Sequence, residues 1–209
     1  MAELPSDMRK ILILIAFWAG PQVQGFGQEE QGFEAAGDDG PVRVYTRSES
    51  NNDMSVLVTT SARATVSAVR TIIANAPAYP TWVHRCEEAY VLSGGTDSAY
   101  TYYSRIKLPF PFQDREIVAD ISEHNNLETG VLTRRIISRP DAVPLTKGVE
   151  RIQAYPAVWT LAPAANNTVD ITCLVRTAAG GGLPAWLRRE IMTGGPLKTI
   201  QNLIRLVER

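Results

Sequence analysis

Along most of the chain, apolar and polar residues alternate with a period of two, and only two stretches switch to helical spacing. "PVRVYTRSE" and "MSVLVTTSARA" are rich in β-branched residues and predict two strands joined by the turn-like "SNND". "TVSAVRTIIANAPAY" then sets Val66, Val69, Ile72 and Ile73 on one helical face, with Thr65 or Ser61 able to cap its start and Pro77 to end it. From Arg85 onwards the period of two returns in "CEEAYVLSGG", "SAYTYYSRI", "DREIVADISEHNN", "GVLTRRIISR", "ERIQAYPAVWTLAP" and "TVDITCLVRTA". Short Gly/Asn/Asp/Pro turns separate them, which predicts an antiparallel meander with no room for βαβ crossovers. In "PAWLRREIMTGGPLKTIQNLIRLVER", Leu187, Ile191, Ile200, Leu203, Ile204 and Val207 recur at helical spacing, and Gly194-Gly195-Pro196 should kink or split that helix.

The predicted order is two strands, a short helix, about six strands and a long amphipathic helix. An α+β fold satisfies these faces together: a curved antiparallel β-sheet wrapped around the C-terminal α-helix, with an internal hydrophobic cavity where curvature separates the two. Gln28 to Gly40 reads as a loose lead-in. The 209 residues allow one domain with a substantial core, and a net charge of −1 provides no basic field for nucleic acid or for anionic membranes.

The N-terminus differs from the rest. Met8-Arg9-Lys10, the apolar "ILILIAFWAG" and the polar "PQVQGFGQEE" form the three regions of a signal peptide over residues 1–27. Met8 offers an alternative start, and a helix retained on the domain or in a membrane is the other reading. The expectation is a periplasmic or secreted protein whose binding domain spans 28–209. Cys86 and Cys173 lie far apart; Cys173 shares a strand face with Val169, Ile171 and Val175, as a buried thiol does, and a disulfide remains open.

Four further stretches, "DDGPVRVYTR", "AYPTWVHRC", "YTYYSRIKLPFPFQDREIV" and "GGGLPAWLRRE", resemble, in order, the signatures of START domains, the StAR-related lipid-transfer modules. The resemblance covers about Phe33 to Arg209. It implies a helix-grip fold with a tunnel for one lipid-sized apolar ligand, closed by a loop and the C-terminal helix. Ala178-Ala179 stands where animal members often have Asp-Pro. Ile121 stands where sterol-binding relatives carry an arginine, and Tyr102 stands near the acidic partner's position. The resemblance therefore implies an apolar tunnel without a buried ion pair, and sterol binding by the animal mode does not follow.

Alternation places Arg115, Ile117, Ala119 and Ile121 on the face expected to line the cavity, with Tyr100, Tyr102, Ser104 and Ile106 as the matching set on the preceding strand. Trp159, Cys173 and Val175 complete the expected lining. The hydroxyls suit a lipid head group, although a tyrosine stripe also packs cores. In "LPFPFQDRE", prolines deny the backbone a sheet ladder, and the rings of Phe110 and Phe112 either pack on the helix near Trp186, Leu187, Ile191 and Ile200 or enter a membrane as a lid opens. Arg115 is expected to pin this loop through a carboxylate.

No nucleophile, metal or phosphate-loop motif is present, and no cofactor or metal is expected. His84 and His124 read as solvated loop residues, and Gly180 to Gly182 as a turn. The expectation is a lipid-binding protein without catalysis, its partner an apolar small molecule with transient membrane contact and no nucleic acid. A polyketide cyclase- or dehydratase-like enzyme using the same cavity is the alternative, and a protein-interaction module the second.

Overall fold

In the computed structural model, which describes residues 32–49, 53–178 and 183–209, the alternating segments pair into one sheet. The elements are β1 (Glu34–Asp39), β2 (Val42–Ser48), β3 (Asp53–Ala62), α1 (Val66–Ala74), a 3-10 turn (Ala76–Thr81), β4 (Cys86–Thr96), β5 (Ala99–Ile106) and β6 (Arg115–Asn125). They continue with β7 (Leu132–Ser138), β8 (Glu150–Arg151), β9 (Ala157–Ala164), β10 (Thr168–Ala178), α2 (Ala185–Arg189), a π turn (Glu190–Gly194) and α3 (Gly195–Val207). The sheet order is β1-β2-β3-β10-β9-β7-β6-β5-β4, so β3, from before α1, pairs with β10, the last strand of the predicted meander. The signal-like segment and Gly180 to Gly182 lie outside the described residues.

Three expectations need correction. The supposed lead-in contains β1, a short polar strand paired with β2 and bulged at Ala35/Gly37. A Cβ on Gly37 would stand 2.9 Å from Thr193 Cγ2, so the glycine lets the π turn approach this strand. The segment from Glu150 is two strands rather than one, broken before Ala157 by Pro156. Its first piece, β8, pairs in parallel with β6, an exception to the antiparallel pattern.

Helix α1 begins where Thr65 accepts a hydrogen bond from the Ala68 N–H at 3.2 Å, and it buries Val69 and Ile73. Its last carbonyls are not left bare: Tyr79 Oη donates to Ile73 O at 2.7 Å and Tyr100 Oη to Ala74 O at 2.9 Å. The C-terminal helix splits at the anticipated place, with a π turn as the device. Pro196 has no N–H for the preceding turn, and a Cβ on Gly194 would sit 2.4 Å from Glu190 Oε2. Beyond the turn, Ile200, Leu203 and Ile204 of α3 pack on Val56, Val58 and Val69 in the main core. Fully burying a side chain such as Leu203 contributes about 1.5–3 kcal/mol.

The opposite face of the sheet has a polar anchor that the pattern did not predict. Glu116 is fully buried there beneath the segment joining β7 to β8. Arg151 meets it at 2.8 Å and also donates to the carbonyls of Val143 and Pro144 at 3.2 and 3.1 Å and to that of Pro140. Tyr103 Oη and Thr146 N donate to the same carboxylate at 3.0 and 3.3 Å. Burial pushes the Glu116 carboxyl up, but the hydrogen bonds from Thr146 and Tyr103 and the Arg151 charge outweigh it and hold the carboxyl below its usual range.

Candidate functional site: an internal cavity

Between the inner face of the sheet and the C-terminal helices lies a cavity of about 260 Å³. Strand register orders its wall. Ile106 opposes Arg115 at the rim, Ser104 opposes Ile117 one layer in, Tyr102 opposes Ala119 and Tyr100 opposes Ile121. One layer further, Glu123 opposes Arg134. Most of the lining is aliphatic or aromatic, including Val56, Val58, Trp82, Ile136 and Trp159. The hydroxyls of Tyr102, Ser104 and Tyr155 also line it, and none is hydrogen-bonded to another described residue. Burial pushes the Tyr102 and Tyr155 phenols well above their ordinary range, so both are neutral donors near neutral pH.

The floor is charged. Arg134, with a side chain only 1% exposed, pairs with Glu123, 4% exposed, at 2.5 Å and donates to Tyr100 Oη. Glu123 also accepts from Arg70 of α1 at 2.7 Å. The chain Arg70–Glu123–Arg134–Tyr100–Ala74 therefore ties α1 to the sheet beneath the cavity.

The rim is built by the segment after the 3-10 turn and by the π turn. His84 Nε2 lies 3.0 Å from Glu190 Oε1, and Lys198 Nζ reaches the same oxygen at 2.9 Å. Burial holds the His84 imidazole below its usual pKa despite the carboxylate. Thr199 Oγ1 accepts the His84 backbone N–H at 3.1 Å and Asn202 Nδ2 donates to Trp82 O at 2.8 Å, so both α3 and the π turn hold this segment. Beside them, Leu108, Leu183 and Leu187 form a small cluster with Phe112 and Ile191, and Phe112 meets Trp186 edge-on at 6.3 Å. Asp114 Oδ1 accepts the Leu108 N–H at 3.0 Å and closes the loop between them.

Of the residues singled out from the sequence, Tyr102, Ser104, Arg115, Ile117, Trp159, Cys173, Val175, Leu187, Ile191 and Ile200 line this cavity. Tyr100, Ala119 and Ile121 do not; they pack in the wall with Ala76 and Ile136. The reason is that the Tyr100 hydroxyl turns to α1 and Arg134, and Tyr79 packs edge-on against Tyr102 at 5.9 Å, which stops the space short of the strand's far end. Phe110 does not pack on the helix: it is 96% exposed, as is Trp186 to 57%. Arg115 finds its carboxylate in Glu150 at 2.8 Å. Cys86 and Cys173 are separate buried thiols, pushed up by burial to about 11 and about 12.

Two readings are overturned. His84 is a half-buried rim residue rather than a solvated one, while His124 stands exposed near the end of β6. The tunnel also has a buried ion pair after all, supplied by Arg134 and Glu123 rather than from the positions of Tyr102 and Ile121. A signal for the first partner existed: in "LTRRIIS", adjacent arginines on one strand must face opposite sides, and Arg134 shares its side with Leu132 and Ile136.

This architecture has close counterparts. A crystal structure of a STAR-related lipid transfer protein from Xanthomonas axonopodis superposes with a TM-score of 0.76 at 26% identity, covering 85% of this chain and 99% of that one. The chain has a START-like helix-grip fold. Human StAR-related lipid transfer protein 5 shares the fold at a TM-score of 0.74 and 14% identity, covering 85% of this chain and 87% of that one. An uncharacterised protein of Pseudomonas aeruginosa is 26% identical over 178 residues, 85% of this chain and 87% of its own. No family model matches the chain.

Proposed function

We propose that this protein holds one apolar small molecule of the lipid class in its cavity and carries it between membranes. The observation that bears most weight is the cavity itself: an apolar space between sheet and helix, with hydroxyls of Tyr102, Ser104 and Tyr155 in its wall that have no partner among the described residues. The fully buried unpartnered side-chain atoms among the described residues are Trp82 Nε1, Arg105 Nε and Thr160 Oγ1, so the three hydroxyls in the wall are instead accessible, open to a ligand or water. The START-like fold supports the same reading. Exposed Phe110 and Trp186 beside the loop–helix cluster suit brief insertion into a bilayer surface. The signal-like N-terminal segment supports a periplasmic or secreted carrier.

Chemistry by the hydroxyl and thiol groups deep in the cavity is disfavoured by their weak acidity. A general acid or base works best with a pKa near the operating pH, whereas burial moves the Tyr102 and Tyr155 phenols and the Cys173 thiol upward, away from it. The full chain, incubated with a total bacterial lipid extract, re-isolated and analysed by organic extraction and mass spectrometry, should yield one apolar class near one equivalent per chain. Recovery of no apolar molecule above a control protein's background would refute the reading.

A further inference from the structure

The cations around the cavity are not equivalent. Arg115 is paired with Glu150 at 2.8 Å and Arg134 with Glu123 at 2.5 Å, while His84 and the neighbouring Lys198 share Glu190. Arg85 also borders this cavity but is an exposed residue at its mouth, and its guanidinium has neither a carboxylate nor a hydrogen-bond acceptor among the described residues. The nearby carboxylate of Glu87 is occupied by Arg105 and Lys107 at 2.9 and 3.0 Å.

Arg85 is also held in an unusual backbone conformation. Its φ of 59° lies in the left-handed region that residues with side chains rarely adopt. The flanks enforce it: the Arg85 carbonyl accepts the Lys107 N–H at 2.8 Å, and the Cys86 N–H donates to Val83 O at 3.1 Å. The chain thus maintains an unfavourable geometry at an exposed, cavity-bordering arginine that has no side-chain partner among the described residues.

We propose that Arg85 is an anion-binding residue at the cavity mouth and that the ligand is a single-chain amphiphile with one acidic head group. This rests on the cavity-binding reading above and specifies its ligand. A guanidinium takes a carboxylate or a phosphate through paired N–H donors, so the head is defined as an oxyanion. Cys86, next to Arg85, pairs with Ile106, and Tyr102 lies four residues further in along β5, roughly 13 Å at ~3.3 Å per residue. The chain of the ligand runs down that length past Ile117 and Val175, and any polar group at its far end meets the Tyr102 and Tyr155 hydroxyls. The cavity of about 260 Å³ lies near the lower end of the ~300–1,000 Å³ usual for small-molecule sites, which suits one chain rather than two.

The test is calorimetric titration of the full chain at mildly alkaline pH with decanoate, decyl phosphate and decan-1-ol, which share a chain and differ in the head. Wild type should bind at least one of the two anions about tenfold more tightly than the alcohol, the scale of one charge-assisted contact. The preference should shrink as salt is raised, and the tighter anion identifies the head. Arg85→Gln should abolish the preference of anion over alcohol, each measured in the same variant, and Arg85→Lys should keep part of it. Equal binding of all three probes by wild type, or a preference that survives in Arg85→Gln, would overturn the inference while leaving the cavity reading intact. Binding of none of them would overturn both.

Discussion

Strand β6 has a buried glutamate on each face, and each is paired with a buried arginine. Glu123 and Arg134 lie on the inner face at the floor of the cavity; Glu116 and Arg151 lie on the outer face under the β7–β8 segment. The residue types are the same and both pairs are almost wholly removed from water, yet their surroundings differ. Arg151 is engaged by Glu116 and three backbone carbonyls, so the outer pair is a closed clamp that fastens an irregular segment to the sheet. Arg134 faces the cavity, and its carboxylate partner is shared with Arg70, whose side chain is one-third exposed. Burial alone therefore does not distinguish a structural pair from one at a binding site; what matters is whether protein or empty space lies beside it.

Breaking the outer pair should have the largest effect. Arg151→Ala leaves Glu116 buried with an uncompensated charge and should cost about 3–5 kcal/mol in urea unfolding. An apolar replacement of both partners, Arg151→Met with Glu116→Leu, should fail to restore stability, because the carbonyls of Val143 and Pro144 lose their donor at ~1–3 kcal/mol for each buried group left unpaired. Full recovery in the double variant would show that the clamp is a simple ion pair. Acid should act through the same site. The lowered Glu116 pKa contributes stability that is present above about pH 4.5 and is lost as pH falls through the folded-state value.

The inner pair should be more tolerant. Arg134→Met leaves Glu123 with Arg70, so a loss of about 1–3 kcal/mol is expected, smaller than for Arg151→Ala. It should also alter affinity for a cavity ligand, which Arg151 variants should not do once corrected for the folded fraction. Equal losses at both sites, with no effect on binding from either, would erase the distinction.

The smallest effect belongs to the rim. The folded His84 pKa lies below that of the unfolded chain, so the unfolded state binds the proton more readily. Stability should therefore fall modestly as pH drops below about 6.5 and level off below the folded-state value. Comparing melting temperatures at pH values above and below that window, in wild type and His84→Asn, measures it; an unchanged slope in the variant would place the titration elsewhere.

The parts that were legible in the sequence follow from periodicity. The two-residue alternation located β2 to β7 and β10 but merged β8 with β9, the 3.6-residue spacing located α1 and α3, and Gly194-Gly195-Pro196 marked the break. β1 was missed because "EAAGDD" is a short, polar, glycine-containing edge strand whose identity comes from its partner β2. Alternation from Arg115 puts Glu116 on the outer side of β6, but nothing in the local pattern announces that a distant segment buries it. The His84–Glu190 contact joins residues 106 positions apart and has no local signature. The tyrosine stripe shows the limit of a face-based argument: alternation puts Tyr100 and Tyr102 on one side, but only Tyr102 reaches the cavity, because Tyr100 is needed to satisfy the end of α1 and the Arg134 guanidinium.

The most direct test of a ligand-binding interior is the stoichiometry of decan-1-ol binding by titration calorimetry to the full chain and to Ser104→Trp, a substitution that fills the cavity from β5. With folding of the variant checked by circular dichroism, the account predicts one site per chain in wild type and none in Ser104→Trp. Equal binding by both folded proteins would contradict it.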